Sequence, residues 1–246
     1  MTTSSTTKTR PVNDSFALEV LEGLNGTPRT ISPAFFYDAK GSVLFDEITR
    51  QPEYYQARTE RGILDSIRSD LAAHLQGPIE LVEFGAGSAE KTETLLEALD
   101  VATYRPVDVS ASPLEAAARR LGGRFPGIVI DTVVQDYHNP VELGPVPKGQ
   151  SRVAFFPGST VGNFHPSEAA KFLGRVARML GKGGALVLGV DLVKDPDVLH
   201  AAYNDAAGVT AEFNLNALRH VNARTDAGFD VNTWKHYSFF NTMASR

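Results

Sequence analysis

Leu81-Val82-Glu83-Phe84-Gly85-Ala86-Gly87-Ser88-Ala89-Glu90-Lys91-Thr92 is the stretch whose reading decides the fold. The run at 79–82 reads as a buried strand. A Gly-x-Gly turn follows at once, then a helical pattern through Thr94-Leu95-Leu96-Glu97-Ala98-Leu99. Strand, glycine turn and helix in that order open a nucleotide-binding α/β sheet. Gly85 and Gly87 lack Cβ atoms, so the turn is tight and a ligand can approach its backbone. Free N–H groups at the helix start then face a polar ligand edge. An ordinary tight strand-to-helix turn is the plain structural alternative.

The residues around the turn choose between ligands. A dinucleotide fingerprint, G-x-G-x-x-G, needs glycine where this chain has Glu90. Glu83, Ser88 and Glu90 crowd the turn, which suits a positively charged ligand better than a pyrophosphate. S-adenosylmethionine is such a ligand, with a sulfonium, an ammonium and a ribose.

Working outward, the segment at 104–110 reads as a second strand ending in Asp108, 23 residues after Gly85. That is close to the spacing of about 20 for a carboxylate that grips a ribose. The segment at 129–137 is a third strand, ending in Asp136 and Tyr137. The acid there accepts from an adenine amino group and the ring packs on the base. Phe155-Phe156-Pro157-Gly158-Ser159-Thr160-Val161-Gly162-Asn163 is a fourth strand with a polar, glycine-rich loop, and 180–191 is a helix end, a Gly-Gly turn and a fifth strand. Polar strand ends pointing one way mark the ligand side of an open parallel sheet.

The pattern resembles a class I methyltransferase with a Rossmann-like sheet and helices on both faces. More narrowly it is similar to the L-histidine Nα-methyltransferase family of ergothioneine biosynthesis. The resemblance rests on Phe36-Tyr37-Asp38-Ala39-Lys40-Gly41-Ser42-Val43-Leu44-Phe45-Asp46-Glu47-Ile48, Pro52-Glu53-Tyr54-Tyr55, the glycine turn, Gly158-Ser159-Thr160-Val161-Gly162-Asn163 and Ala202-Tyr203-Asn204-Asp205-Ala206. It implies an S-adenosylmethionine-dependent N-methyltransferase that carries L-histidine toward hercynine and releases S-adenosylhomocysteine. Members of the family continue past the position of Arg246, so the resemblance implies a substrate domain completed by a further segment. In the family that segment supplies acidic and hydroxyl groups for the imidazole, and no residue here matches them. Two alternatives therefore stay open: a methyltransferase of another small amine or amino acid, and a non-catalytic, truncated remnant that binds the cofactor.

Methyl transfer to an amine needs a deprotonated nitrogen, in-line placement and exclusion of water, not a strong nucleophile on the protein. Polar holders are the expected catalytic and substrate-binding groups. Asn163 has an amide able to donate to a carboxylate and accept from an amine, although a turn asparagine after Gly162 is the plainer reading. Tyr203, otherwise a half-buried packing residue, binds the substrate carboxylate with Asn163 by resemblance. Tyr55 matches the family's tyrosine near the imidazole, with Tyr54 as the adjacent alternative. The cofactor set is Gly85, Gly87, Ser88, Lys91, Asp108, Asp136 and Tyr137. Lys91 reaches the cofactor carboxylate as a point charge, and a cation at a helix start otherwise opposes the dipole.

Composition narrows the partners. The 246 residues are 42% hydrophobic and 22% charged, with a formal net charge of −5. A nucleic-acid footprint is therefore not expected. No cysteine is present, which removes disulfides and thiolate chemistry and fits a cytoplasmic protein. No stretch is apolar enough to span a membrane. The histidines lack the spacing of a metal site, and no Gly-x-Ser-x-Gly elbow supports a hydrolase.

Four regions are expected: a disordered tail at 1–14, the first part of a substrate domain at 15–58, the cofactor-binding core at 59–194, and the second part of the substrate domain at 195–246. Within them the periodicity predicts a helix from Ser15 and one continuous helix over 59–75. It also predicts a helix capped by Ser112 and a helix over 166–180. A strand over 229–240 is expected to pair with the N-terminal segment. As its partner strand is not in sight, the reading expects exposed apolar surface there, with marginal stability, aggregation or self-association.

Overall fold

β1 (Ile79–Phe84) is buried along its whole length, because it is the central strand of a parallel sheet covered on both faces. The computed structural model describes residues 15–246; the tail expected at 1–14 lies outside the described residues. Beside β1 run β2 (Val101–Asp108), the short β3 (Val129–Ile130) and β4 (Val133–Val134), β5 (Ser151–Phe156) and β6 (Ala185–Leu188). The order is β3-β2-β1-β5-β6, with β4 also on β2 and every pairing parallel. Chain direction across the sheet therefore reverses at β1. The loops after β1 and β5 leave to opposite sides and open a crevice at the carboxyl ends of the strands, where such sheets bind ligands.

Glu80 departs from the apolar reading of β1. It is fully buried and sits between two arginines of the neighbouring strands: Arg152 Nε donates to it at 2.6 Å and Arg105 Nε lies 2.7 Å away. A buried carboxylate is tolerated when it is paired in this way.

The helices are α1 (Ser15–Asn25), α2 (Ala39–Thr49), α3 (Tyr55–Ser66), α4 (Arg68–His74), α5 (Thr92–Ala98), α6 (Ala111–Arg124), α7 (Pro166–Leu180), α8 (Pro196–Ala202) and α9 (Val209–Thr225), and all but α8 send apolar residues into four clusters. Leu64, Leu95 and Leu121 cover one face of the sheet against Leu81, Tyr104 and Phe155. Phe172, Val176 and Leu180 of α7 cover the other against Val82, Phe84 and Phe156. Phe16 and Val20 of α1 meet Phe35 and Val221, and Leu44 and Ile48 of α2 meet Tyr54 and Phe213. The segments before α3 and after β6 are thus packed on each other.

Several sequence expectations need correction. The helix expected over 59–75 is two, interrupted at Ile67, whose ψ of 8° leaves the helical region. Ser110, not Ser112, precedes α6, and it makes no side-chain cap. The third strand is reduced to β3 and β4, yet Asp131 and Gln135 still donate to the carbonyls of Tyr104 and Asp108 at 2.9 Å, so the segment stays alongside β2. The strand expected over 229–240 is absent. Asp230 accepts from Asn232 N at 3.1 Å and closes a 3-10 turn, Val231–Thr233, the local competition with a ladder that aspartate favours. Beyond the turn Tyr237 is 72% and Phe239 64% exposed. The segment is held instead by Asn204, which exchanges two hydrogen bonds of 3.0 Å with the backbone of Ser238.

Candidate active site

The glycine turn forms because Gly85 (φ 69°) and Gly87 (φ 51°) adopt the left-handed region. Asp108, at the end of β2, holds it. One carboxylate oxygen accepts from Gly87 N at 2.9 Å and the other from Ser110 N at 2.9 Å. The Tyr137 ring lies over Gly85, and a Cβ there would stand 3.6 Å from Tyr137 Cε1. Behind that ring are Phe84, Phe156, Phe164 and Phe172, with His138 stacked at 4.9 Å. A flat apolar face, a carboxylate and a bare backbone turn meet at one end of the crevice. These are the donor types that an adenine, a ribose and an aminoacyl tail require, so the residues present fit S-adenosylmethionine.

The acids expected to crowd the turn take different places. Glu83 points into the sheet, where it accepts from the hydroxyls of Thr92 and Tyr104, the latter at 2.5 Å. Burial pushes its carboxyl up to about 7, against the pull of those two hydroxyls and of Lys91. Glu90 is exposed and pairs with Arg61 at 3.3 Å. Ser88 presents its carbonyl to Arg120 at 2.6 Å. Asp136 is turned to its own loop and accepts from His138 N and Nδ1 at 2.9 and 2.6 Å and from Asn139 at 3.2 Å. Burial would raise its carboxyl, but those bonds outweigh it and lower the value.

Lys91 is paired at 2.5 Å with Glu60 of α3, a residue the sequence did not single out. The other oxygen of Glu60 accepts from Gly158 N at 2.7 Å. A Cβ on Gly189 would fall 2.0 Å from that same oxygen. Glu60 therefore joins α3, the helix after the glycine turn and the loop after β5. An acid on a polar helix face carries no sequence signal for this role.

Opposite the turn, three tyrosines converge. The Tyr54 ring meets Tyr203 edge-on, 6.1 Å between centroids. Tyr37 packs against Phe45 and Phe213, and its carbonyl accepts from Ser110 Oγ at 2.9 Å, which ties it to the end of β2. Burial raises the phenols of Tyr37 and Tyr54 far above their ordinary value. Asp108 and Tyr203 add to the rise at Tyr37, and Tyr203 and Tyr37 add to it at Tyr54. These phenols stay protonated at any working pH and are not bases. Tyr203 is also raised, first by burial and then by Asp191.

Tyr55, expected in the site, lines a cavity at the carboxyl ends of β5 and β6; its hydroxyl donates to Asp191, and Lys194 lies 4.7 Å over its ring. Tyr54 is the more deeply buried of the two and is the one that meets Tyr203. The two are adjacent at the entry to α3, where sequence spacing does not distinguish inside from outside. Asn163 closes the 3-10 turn Thr160–Asn163 after β5; its side chain is exposed and makes no hydrogen bond among the described residues. Tyr37 lies in the segment that carries the family resemblance, but the sequence does not single it out as a site residue, since no spacing rule marks it.

Comparison with known proteins gives the following. The family described as histidine-specific, S-adenosylmethionine-dependent methyltransferases matches residues 16–246. A histidine N-alpha-methyltransferase of Mycolicibacterium smegmatis is 44% identical over 232 residues, covering 93% of this chain and 71% of the relative. One of Mycobacterium tuberculosis is 40% identical with the same coverage. A 4-dimethylallyltryptophan N-methyltransferase of Claviceps purpurea is 28% identical, covering 89% of this chain and 68% of the relative.

Proposed function

This chain belongs to the family of histidine-specific, S-adenosylmethionine-dependent methyltransferases, and on that premise we propose that it methylates the α-amino nitrogen of L-histidine, as in ergothioneine biosynthesis. The observation that carries the reading is the facing of two sets of groups across one crevice. The glycine turn with Asp108 and Tyr137 lies on one side, and Tyr37, Tyr54 and Tyr203 on the other.

Gly85, Gly87, Asp108 and Tyr137 would hold the nucleoside of S-adenosylmethionine and Lys91 its carboxylate, with Ser88 and Asp136 shaping the adjoining loops. When bound, that cofactor supplies an electrophilic methyl group on a sulfonium. Asn163 and Tyr203 would fix the substrate carboxylate, while Tyr54 borders the imidazole in place of Tyr55. The protein's own contribution is orientation and exclusion of water, which suffices for displacement by a neutral amine. The amine loses its proton to solvent, since the buried phenols are held protonated. No helix among the described residues is long and apolar enough to cross a membrane. We place the enzyme in the cytoplasm, with small molecules as its partners.

The test is methyl transfer from labelled S-adenosylmethionine to histidine, histamine and tryptophan. Histidine should be methylated and histamine, which lacks the carboxylate, should not; tryptophan should compete poorly. Equal turnover of histidine and histamine would remove the roles given to Asn163 and Tyr203. No turnover of histidine, together with no binding of histidine to the S-adenosylhomocysteine complex, would remove the reading.

A further inference from the structure

We propose that Gln56 is a substrate-binding residue that donates to the substrate carboxylate beside Tyr203; this rests on the amino-acid methylation argued above. Gln56 is the second residue of α3 and is 8% exposed. Neither its Nε2 nor its Oε1 makes a hydrogen bond among the described residues. Buried side-chain amides are nearly always satisfied, and one free at both ends asks what it is for.

Its surroundings answer in part. The amide stands beside the Tyr203 hydroxyl, where it favours the phenolate against the burial that opposes it. It also lines a cavity of about 210 Å³ with Gly158, Ser159 and Asp191, at the carboxyl ends of β5 and β6. The charged groups nearby are already matched: Glu60 to Lys91 and Gly158 N, and Asp191 to Lys194 at 2.6 Å. The uncommitted donors here are the Gln56 amide, on the cavity wall, and the Tyr203 phenol beside that amide. Two adjacent neutral donors suit an anion that already carries its own charge, and a carboxylate presents two oxygens to receive them. A contact of this kind fixes which amino acids are held and leaves the transferring methyl untouched.

The experiment compares wild type with Gln56→Glu and Gln56→Leu in the full chain, after thermal melts establish folding. Gln56→Glu keeps the size and sets a negative charge against the carboxylate. KM for histidine should rise about tenfold or more, with kcat and the affinity for S-adenosylhomocysteine unchanged within about twofold. Gln56→Leu should raise KM about three- to fivefold, the loss of one donor. The penalty of Gln56→Glu should shrink for histidine methyl ester, which lacks the anion. A lowered kcat with unchanged KM, or an equal penalty on acid and ester, would overturn the proposal. Where turnover is absent even in wild type, calorimetry of histidine binding to the S-adenosylhomocysteine complex reads the same difference. Binding about tenfold weaker in Gln56→Glu supports the proposal and equal binding overturns it. No binding to wild type overturns the methylation reading and this inference with it.

Discussion

At Glu83 a single side chain couples the glycine turn to pH. Its carboxyl is raised from 4.5 to about 7 by burial. The folded state therefore holds a proton that the unfolded chain releases between these values. The stability this contributes is complete below about 4.5 and is lost as pH rises toward 7, a change of roughly 3 kcal/mol for a shift of this size. Glu83→Gln keeps an acceptor for Thr92 and Tyr104 and cannot titrate. Urea unfolding at pH 5, 6, 7 and 8 should show the wild type losing stability relative to the variant up to about pH 7 and not beyond. Parallel curves for the two proteins would show that Glu83 does not titrate in this window. Single residues were legible in the sequence where a spacing rule reached them. Asp108 was read from its distance to Gly85, and it does face the turn. Tyr54 and Tyr55 were not separable, because which of two neighbours enters the interior is set by how α3 meets α2 and α9, a tertiary outcome.

Between elements, Glu60 does what no single strand or helix can do alone. It joins α3 to Lys91 and to the backbone of Gly158, and it stands where a side chain on Gly189 would have to be. Glu60→Ala frees both partners and should cost about 1–3 kcal/mol of stability, read as a lower melting temperature. S-adenosylhomocysteine affinity should fall about three- to tenfold as Lys91 loses its fixed position. Gly189→Ala drives a methyl into the same carboxylate and should damage the same link. The double variant should then be less impaired than the sum of the two singles, since the clash has nothing left to meet. Simple addition of the two effects would place the damage of Gly189→Ala elsewhere. The strands of the sheet were legible because each carries its own apolar run and each crossover its own glycine or proline stop. The link through Glu60 was not, because residues 60, 91, 158 and 189 share no periodicity. The strand expected at 229–240 failed for a related reason: alternation predicts a strand only if a partner edge exists, and Asp230 offered the backbone a turn first.

Across the whole molecule, the glycine turn is built by the sheet, whereas Tyr37 and Tyr54 are carried by the segment before α3 and Tyr203 by the one after α8. The side proposed for the substrate is thus assembled from the segments before α3 and after α8, and its geometry depends on how those segments are fastened. Asn216 of α9 is a buried polar fastening point between them, beside the apolar contacts of Phe213 and Val221. It is 2% exposed, and its amide donates to Asp38 at 2.7 Å, on the oxygen that also caps α2 through Gly41 N. At the surface Lys40 and Glu212 join the same two helices at 2.9 Å, in an exposed pair that contributes little. Asn216→Leu removes the buried donor and should cost about 1–3 kcal/mol. The consequence for function should be one-sided. The cofactor wall does not pass through α9, so S-adenosylhomocysteine affinity by calorimetry should stay within about twofold of wild type. The tyrosine wall does, so kcat/KM for histidine should drop about tenfold, a loss of orientation at the reacting nitrogen. If cofactor and substrate terms fall together, the two walls share one cooperative support. If only the cofactor term falls, α9 does not hold the tyrosines in place.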